Sequence, residues 1–145
     1  MIQKLLALSN SFDEQQPNGI TEQELVDLSE SIKTNLGTSL PVGYAAFLKE
    51  MNGFYLHDYA IFCYANDGIR ANFPEYCEID LVECNKDFVD YTDVDDYLLL
   101  GESSISYIAY DKHKNQYVLL SNGTLDNFGT FDTFEELVLC FLKLK

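Results

Sequence analysis

The sequence predicts an α+β domain in which helices flank an antiparallel β-sheet. Amphipathic helix patterns come before residue 53, three short strand patterns fill residues 97–120, and one more helix pattern follows them. Helices that cluster early and strands that cluster late are typical of α+β proteins, whereas a doubly wound parallel sheet alternates the two. A length of 145 residues is usual for one domain. We therefore expect a single domain over residues 1–145.

The first fifty residues carry the clearest helix signals. A short amphipathic helix is predicted over residues 2–8, and the polar stretch 9–19 is typical of a surface loop. Thr21 and Glu24 have the spacing of a capping box, and apolar residues then recur every three or four positions until Gly37. This pattern predicts a helix with one buried stripe.

The next helix is expected to begin at Pro41, because the missing N–H of proline costs nothing in a first helical turn. It should end at Asn52-Gly53, residue types that tolerate the left-handed conformation of a helix C-terminus. Its predicted buried face consists of Tyr44, Phe47, Leu48 and Met51. The aromatic and β-branched run at 59–64 then predicts a strand that is bounded by the turn residues 66–68.

The remaining elements follow from residue 74 onward. Pro74 opens a mixed apolar and acidic stretch to which we assign a short helix. Three successive antiparallel strands are predicted at Tyr97–Gly101, Ile105–Asp111 and Gln116–Leu120. Asp132 or Thr133 can cap a final helix with one apolar face.

The charge balance excludes several classes of partner. The chain has 24 Asp and Glu against 9 Lys and Arg, which gives a net charge of −15. Nucleic acids and anionic membrane surfaces are bound by clustered basic side chains, which this composition does not supply. We therefore expect no direct nucleic-acid or membrane partner. The excess of acids favours solubility and the attraction of basic proteins.

Cysteine usage and the N-terminal sequence point to the cytoplasm. No two of the four cysteines form a CxxC pair, and each has apolar or aromatic neighbours, which is typical of small buried side chains in a reducing compartment. The apolar stretch at residues 1–8 is too short for a signal peptide. No run approaches the 18 apolar residues of a membrane span. A cytoplasmic location is expected.

The sequence lacks the usual catalytic patterns. Neither His57 nor His113 has a second histidine at zinc-binding spacing, and no nucleophile elbow or phosphate-binding glycine loop is present. The aspartates at 90–96 lack the ligand spacing and turn glycine of an EF-hand. We expect no metal, no cofactor and no catalysis. A hydrolase that uses paired carboxylates is the last of the alternatives.

An acidic segment at residues 75–102 is the main candidate for binding. It contains ten acids and a single base, Lys86, together with several aromatic residues. Aromatic rings among acids can anchor an interface while the charges speed the encounter with a basic partner. The candidate partner-binding residues are Asp87, Asp90, Tyr91, Asp93, Asp95, Asp96, Tyr97 and Glu102. The alternative is a solvated surface whose aromatic residues point into the core.

Three segments along the chain form a recognisable series. They are Leu40-Pro41-x-x-Tyr44-x-x-Phe47-Leu48-x-x-x-Asn52-Gly53, then Leu100-Gly101-Glu102 leading to Tyr107-Ile108-Ala109-Tyr110-Asp111, and lastly Phe131-x-x-Phe134-x-x-Leu137 with Phe141-Leu142. Together they resemble the SUKH superfamily, the domain of bacterial toxin-immunity proteins and of fungal cell-wall assembly regulators. The resemblance runs in the family order over residues 21–145.

This resemblance implies a SUKH-like α+β domain that acts as a stoichiometric inhibitor of a cognate toxin. Many toxins met by the superfamily are nucleases or act on nucleic acids, and their substrate sites tend to be basic. The acids of segment 75–102 would then pair with Lys and Arg around the cleft of the toxin. One alternative is a regulatory scaffold of the cell-wall assembly type, and another is a nucleic-acid mimic that blocks a different basic protein.

Overall fold

A six-stranded antiparallel sheet runs through the molecule in the simplest possible order, with each strand beside the next one in the chain. The computed structural model describes residues 1–144. The strands are β1 (Phe54–Leu56), β2 (Tyr59–Ile61), β3 (Tyr97–Glu102), β4 (Ser106–Asp111), β5 (Gln116–Ser121) and β6 (Asn127–Phe131). The predicted α+β class with an antiparallel sheet is confirmed.

Helices occupy the chain before, between and after the strands. They are α1 (Ile2–Ser11), α2 (Glu22–Leu36), α3 (Val42–Glu50), α4 (Asp67–Asn72), α5 (Leu81–Thr92) and α6 (Phe134–Phe141), and a 3-10 helix spans Pro74–Ile79. The capping box at α2 is present, since the Thr21 hydroxyl accepts from the Glu24 N–H and the Glu24 carboxylate accepts from the Thr21 N–H. Gly37 ends α2 in the left-handed conformation, with φ of 65°. Thr133, one of the two predicted caps, is the N-cap of α6, and its hydroxyl accepts from the Glu136 N–H.

Helices α5 and α6 cover opposite faces of the sheet. The ring of Phe88 in α5 meets Tyr107 of β4 edge-on, whereas Phe134 of α6 packs on Tyr117 of β5. Tyr117 is directly opposite Tyr110 in the β4–β5 register. Because side chains alternate along a strand, Tyr107 and Tyr110 project from opposite faces. Two covered faces explain why β3 to β5 appear in the sequence as nearly continuous apolar runs.

The sequence missed the short and exposed strands. The predicted strand at 59–64 ends at Ile61, and residues 62–64 continue as irregular chain with one bridge from Cys63 to Asp80. β1 has three residues, which are too few to show a period in the sequence, and β6 presents mostly exposed side chains, so neither has the apolar run that predicts a strand. The turn expected at 66–68 is the start of α4, capped by the Asn66 side chain.

Helix ends and cysteine burial also differ in part from the predictions. α1 extends to Ser11, so the loop is shorter than predicted, and α3 begins after Pro41 and ends at Glu50. α5 is twelve residues long and is preceded by the 3-10 helix, where one short helix was expected. Only Cys63 is fully buried, whereas Cys84 is half-buried and Cys77 and Cys140 are exposed, so the prediction of four buried cysteines is wrong.

Candidate functional site

A groove of about 710 Å³ lies between helix α5, the sheet and the loop that joins β5 to β6. The α5 wall presents residues at helical spacing, namely Cys84, Asp87, Phe88 and Tyr91. The remaining lining includes Phe62, Leu99, Glu102, Tyr107 and loop residues 122–125, together with Glu78. The groove therefore joins parts of the chain that are more than sixty residues apart, from Phe62 to Leu125.

Asn85 fixes the α5 wall to the sheet. Its side-chain Oδ1 accepts from the N–H of Leu99 at 2.8 Å, while Nδ2 donates to the carbonyls of Leu99 at 2.9 Å and Leu81 at 2.8 Å. Asn85 is buried, so these three bonds form away from water, where an unmade bond is costly. The side-chain amide thus holds α5 against β3 in one register.

The opposite wall is held by Asn122. Its side-chain Nδ2 donates to the carbonyl of Ser103 at 2.9 Å, and its backbone N–H donates to the carbonyl of Ile105 at 3.0 Å. Both acceptors belong to the β3–β4 turn. The β5–β6 loop is therefore anchored across two strands, which fixes the width of the groove.

Aromatic rings line much of the groove. Phe88 and Tyr107 contact each other with ring centroids 5.5 Å apart at an interplanar angle of 75°, and Phe62 and Tyr91 contribute two more rings. Tyr91 is 93% exposed, the largest exposed fraction among the exposed large apolar and aromatic side chains of residues 1–144. A ring left in water at the rim of a groove can become a buried anchor in a complex.

Three carboxylates share the groove, from Glu78, Asp87 and Glu102, and no Lys, Arg or His is among its lining residues. Within residues 1–144, no basic side chain forms an ion pair with any of the three. Asp87 comes from the helix and Glu102 from the end of β3, so the charges face the groove from two walls. Among the residues that the structure describes, the groove is therefore an anionic surface without a counter-charge of its own.

The pKa shifts of the lining groups reflect this anionic surface. Burial raises the pKa of the Glu102 carboxyl, and the nearby charge of Asp58 raises it further. Burial is also the main reason that the pKa of the Cys84 thiol rises to about 12, with additional contributions from Glu102 and Asp80. The pKa of Tyr107 is raised by burial and then by Glu102. Each shift disfavours a further negative charge in the groove.

The other candidate acids lie elsewhere and mostly have partners. Lys112 Nζ donates to Asp95 Oδ1 at 2.7 Å, and the His113 ring Nε2 lies 3.0 Å from Asp96 Oδ1. Both contacts join the β4–β5 turn to the residues before β3. Tyr97 follows them, half-buried and outside the groove lining. These residues form a second acidic site, in which Asp95 has a cationic partner and Asp96 has a hydrogen-bond partner within the chain.

Two further candidates face solvent. Asp90 is exposed on α5 outside the groove lining, and Asp93 ends the helix in the left-handed conformation with φ of 59°. The structure thus brings three of the eight sequence candidates together in the groove: Asp87, Tyr91 and Glu102. The four-residue spacing of Asp87 and Tyr91 could have indicated that they share a helix face.

No sequence pattern predicted that the other lining residues belong to a groove. Phe62, Tyr107 and loop 122–125 meet only because β2, β3, β4 and β5 pair in succession. Tyr107 was visible as part of a strand but not as part of a site. Its role depends on which face of β4 lies beneath α5.

Sequence comparison supplies no family or function. No family model matches the chain, and no curated protein matches it. The chemistry of the groove is therefore the basis for a functional assignment. Unpaired carboxylates beside aromatic rings attract cationic groups through charge pairing and through cation–π contact.

Two further features of the structure concern membranes and metals. No helix among residues 1–144 is long and apolar enough to cross a membrane. No group of three or more His, Cys, Asp or Glu in the described part of the chain is arranged to hold a metal ion.

Proposed function

We propose that this protein is a non-catalytic immunity protein, which binds a cognate bacterial toxin one to one and blocks its active surface. The observation that carries the proposal is the groove, where Asp87 and Glu102 lie beside exposed Tyr91 without a basic side chain from residues 1–144. The proposed partner supplies the missing positive charges.

Electrostatics favours a basic partner for this surface. Glu102 is partly desolvated and lies near Asp58, so its charged form is disfavoured in the free protein. A cation brought by a partner would stabilise that charged form. The interaction would gain strength because the groove walls exclude part of the water that screens charges elsewhere on the surface.

The net charge of −15 lets the protein attract a basic partner at long range. Complementary charge raises the rate of association, while desolvated aromatic contacts slow dissociation. In the proposed complex the acidic surface steers the toxin, and Tyr91 with its neighbouring rings retains it. Physiological salt limits the reach of the charges to about 8 Å, so association should be sensitive to ionic strength.

The resemblance to the SUKH superfamily also supports an immunity role. The α+β fold with an antiparallel sheet agrees with that resemblance. Toxins of the kind met by this superfamily include nucleases, whose substrate sites need clustered Lys and Arg. We propose such a basic cleft as the binding partner, and the cytoplasm as the place where the two proteins meet.

The direct test is co-expression with the protein encoded immediately upstream in the genome. Growth is compared with the upstream protein alone and with the pair, and the pair is then purified together. The proposal predicts rescue of growth, a one-to-one complex, and an association rate that falls about tenfold or more between 50 mM and 500 mM salt.

Failure of growth rescue together with the absence of a complex would contradict the proposed role. A complex that forms without rescue would favour the regulatory-scaffold interpretation instead. Loss of turnover at a single carboxylate, with binding intact, would instead indicate an enzyme.

A further inference from the structure

The groove has features that select one kind of side chain from a partner. Its carboxylates come from two elements, Asp87 on the helix and Glu102 on the sheet, and the same groove is lined by the half-buried ring of Tyr107 and the exposed ring of Tyr91. The volume of about 710 Å³ accommodates a long side chain together with the segment that carries it. A planar cation can contact rings and two carboxylates at once.

We infer that the groove receives one arginine side chain of the partner protein, whose guanidinium pairs with Glu102 and Asp87 and stacks on the aromatic rings. This inference rests on the proposed function, because it names the group through which the toxin would be recognised. Tyr91 closes over the stem of the arginine from the rim.

Arginine fits this groove better than lysine. The guanidinium is planar, carries five donors and binds carboxylates through two parallel hydrogen bonds. It also stacks on aromatic faces and loses less hydration than an ammonium group. Because the groove is lined by acids from two elements and by the accessible rings of Tyr91 and Tyr107, the planar group can satisfy both kinds of contact. A compact ammonium would meet one carboxylate and retain much of its water.

Other occupants are excluded by charge. An anionic ligand such as a phosphate would be repelled by all three carboxylates. A second copy of this chain brings a further net charge of −15, which opposes self-association at this surface. A purely apolar helix would bury Asp87 and Glu102 without a partner, which is costly for ionised groups.

The test uses three small probes and the whole protein labelled with ¹⁵N. N-acetyl-arginine amide, its lysine counterpart and the uncharged citrulline counterpart are titrated separately, and backbone amide shifts are followed. The expected result is saturable binding of the arginine probe, with a dissociation constant on the order of 1–10 mM. The largest shifts should map to α5, Glu102 and loop 122–125. The lysine probe should bind several-fold more weakly, and the citrulline probe should cause no saturable change.

Matched variants distinguish binding in the groove from a general attraction of cations to an acidic protein. Glu102→Gln should weaken arginine binding about tenfold, the usual effect of one lost charge-assisted bond, whereas Glu30→Gln on the exposed face of α2 should leave it unchanged. Tyr91→Ala should weaken binding several-fold, while Phe128→Ala, which truncates another exposed ring, should not. Thermal unfolding of each variant checks that it is folded, and little loss of stability is expected from Tyr91→Ala because the ring is 93% exposed.

Three results would overturn the inference. They are shifts spread evenly over all acidic surfaces, equal binding of the citrulline probe, and equal binding of the lysine probe. These outcomes are distinct from a failure of the proposed function, since a complex with the upstream protein that survives Glu102→Gln would refute the arginine site and retain the immunity role.

Discussion

The acidic residues at the two ends of strand β3 have opposite environments. Before the strand, Asp95 and Asp96 contact Lys112 and His113 of the β4–β5 turn. At its other end, Glu102 enters a groove without a basic side chain from the described residues and has its pKa raised by burial and by Asp58. In the sequence these acids belong to one uniform block.

The difference shows that the density of charge along a sequence does not locate a binding surface. Hairpin pairing brings a lysine and a histidine to one end of β3, and it brings tyrosine and asparagine to the other. A carboxylate that already has a partner within the chain gains less from a cation of the binding partner. The unbalanced carboxylates are the ones that a basic partner would stabilise.

The largest expected effect comes from detaching the groove wall. Asn85→Ala removes three buried hydrogen bonds that hold α5 to β3 and to its own first turn. We expect a loss of roughly 3 kcal/mol in the free energy of unfolding, since buried polar groups are left unpaired. Urea denaturation measures it. Asn35→Ala, which removes exposed bonds within α2, is the control and should cost less than about 0.5 kcal/mol.

A smaller effect is expected from the exposed ring at the groove rim. Tyr91→Ala should weaken the toxin complex about tenfold, because an aromatic anchor that becomes buried contributes on the order of 1–2 kcal/mol. The free energy of unfolding should stay within about 0.5 kcal/mol of wild type, since the ring is almost fully exposed. Calorimetric titration with the partner gives the affinity. An unchanged affinity would remove Tyr91 from the interface.

At the end of β3 where Asp95 pairs with Lys112, one substitution can leave an acid without its cation, as the groove acids are. Lys112→Gln leaves Asp95 without its cation and should lower stability by about 1 kcal/mol, because the Asp95 carboxylate is largely in water although the Lys112 side chain is mostly covered. The loss should shrink further in high salt. Affinity for the toxin should not change. A marked change in affinity would mean that the β4–β5 turn also contacts the partner.

The smallest effect concerns stability and pH at the groove. Because the pKa of Glu102 is raised in the folded state, folded protein holds more protons than unfolded protein between the ordinary Glu value of about 4.3 and the raised value. Stability from this group therefore falls as pH rises through that window. The titratable groups that influence Glu102 or are influenced by it are Asp58, Cys84 and Tyr107.

Glu102→Gln should remove that penalty. We expect a melting temperature about 1–2 °C higher than wild type at pH 7 and nearly equal at pH 4. Differential scanning calorimetry across this pH range checks the trend. A variant that is less stable at pH 7 would show that the carboxylate contributes to folding, which the groove interpretation does not allow.

Most of the sheet and the longer helices could be predicted from the sequence. Strands β3 to β5 are covered on both faces and carry continuous apolar runs, and α2 has both a capping box and a terminal glycine. β1, β6 and α4 were missed because they are short or expose most of their side chains. Short elements are defined by neighbours that only the folded chain provides.

The candidate site could be predicted only in part for the same reason. Asp87 and Tyr91 share a helix face by their spacing, which the sequence reveals. That Glu102 joins them depends on Asn85 docking α5 onto β3. The partners of Asp95 and Asp96 depend on where the β4–β5 hairpin turns. Neither contact is encoded in local periodicity.

The most direct test of the central claim compares equal losses of charge at the two ends of β3. Affinity for the co-purified toxin is measured for wild type, for Asp87→Asn with Glu102→Gln, and for Asp95→Asn with Asp96→Asn. We predict that the groove pair weakens binding about thirtyfold or more and the turn pair less than about threefold. Equal losses, or a larger loss from the turn pair, would contradict the claim that the groove is the binding surface.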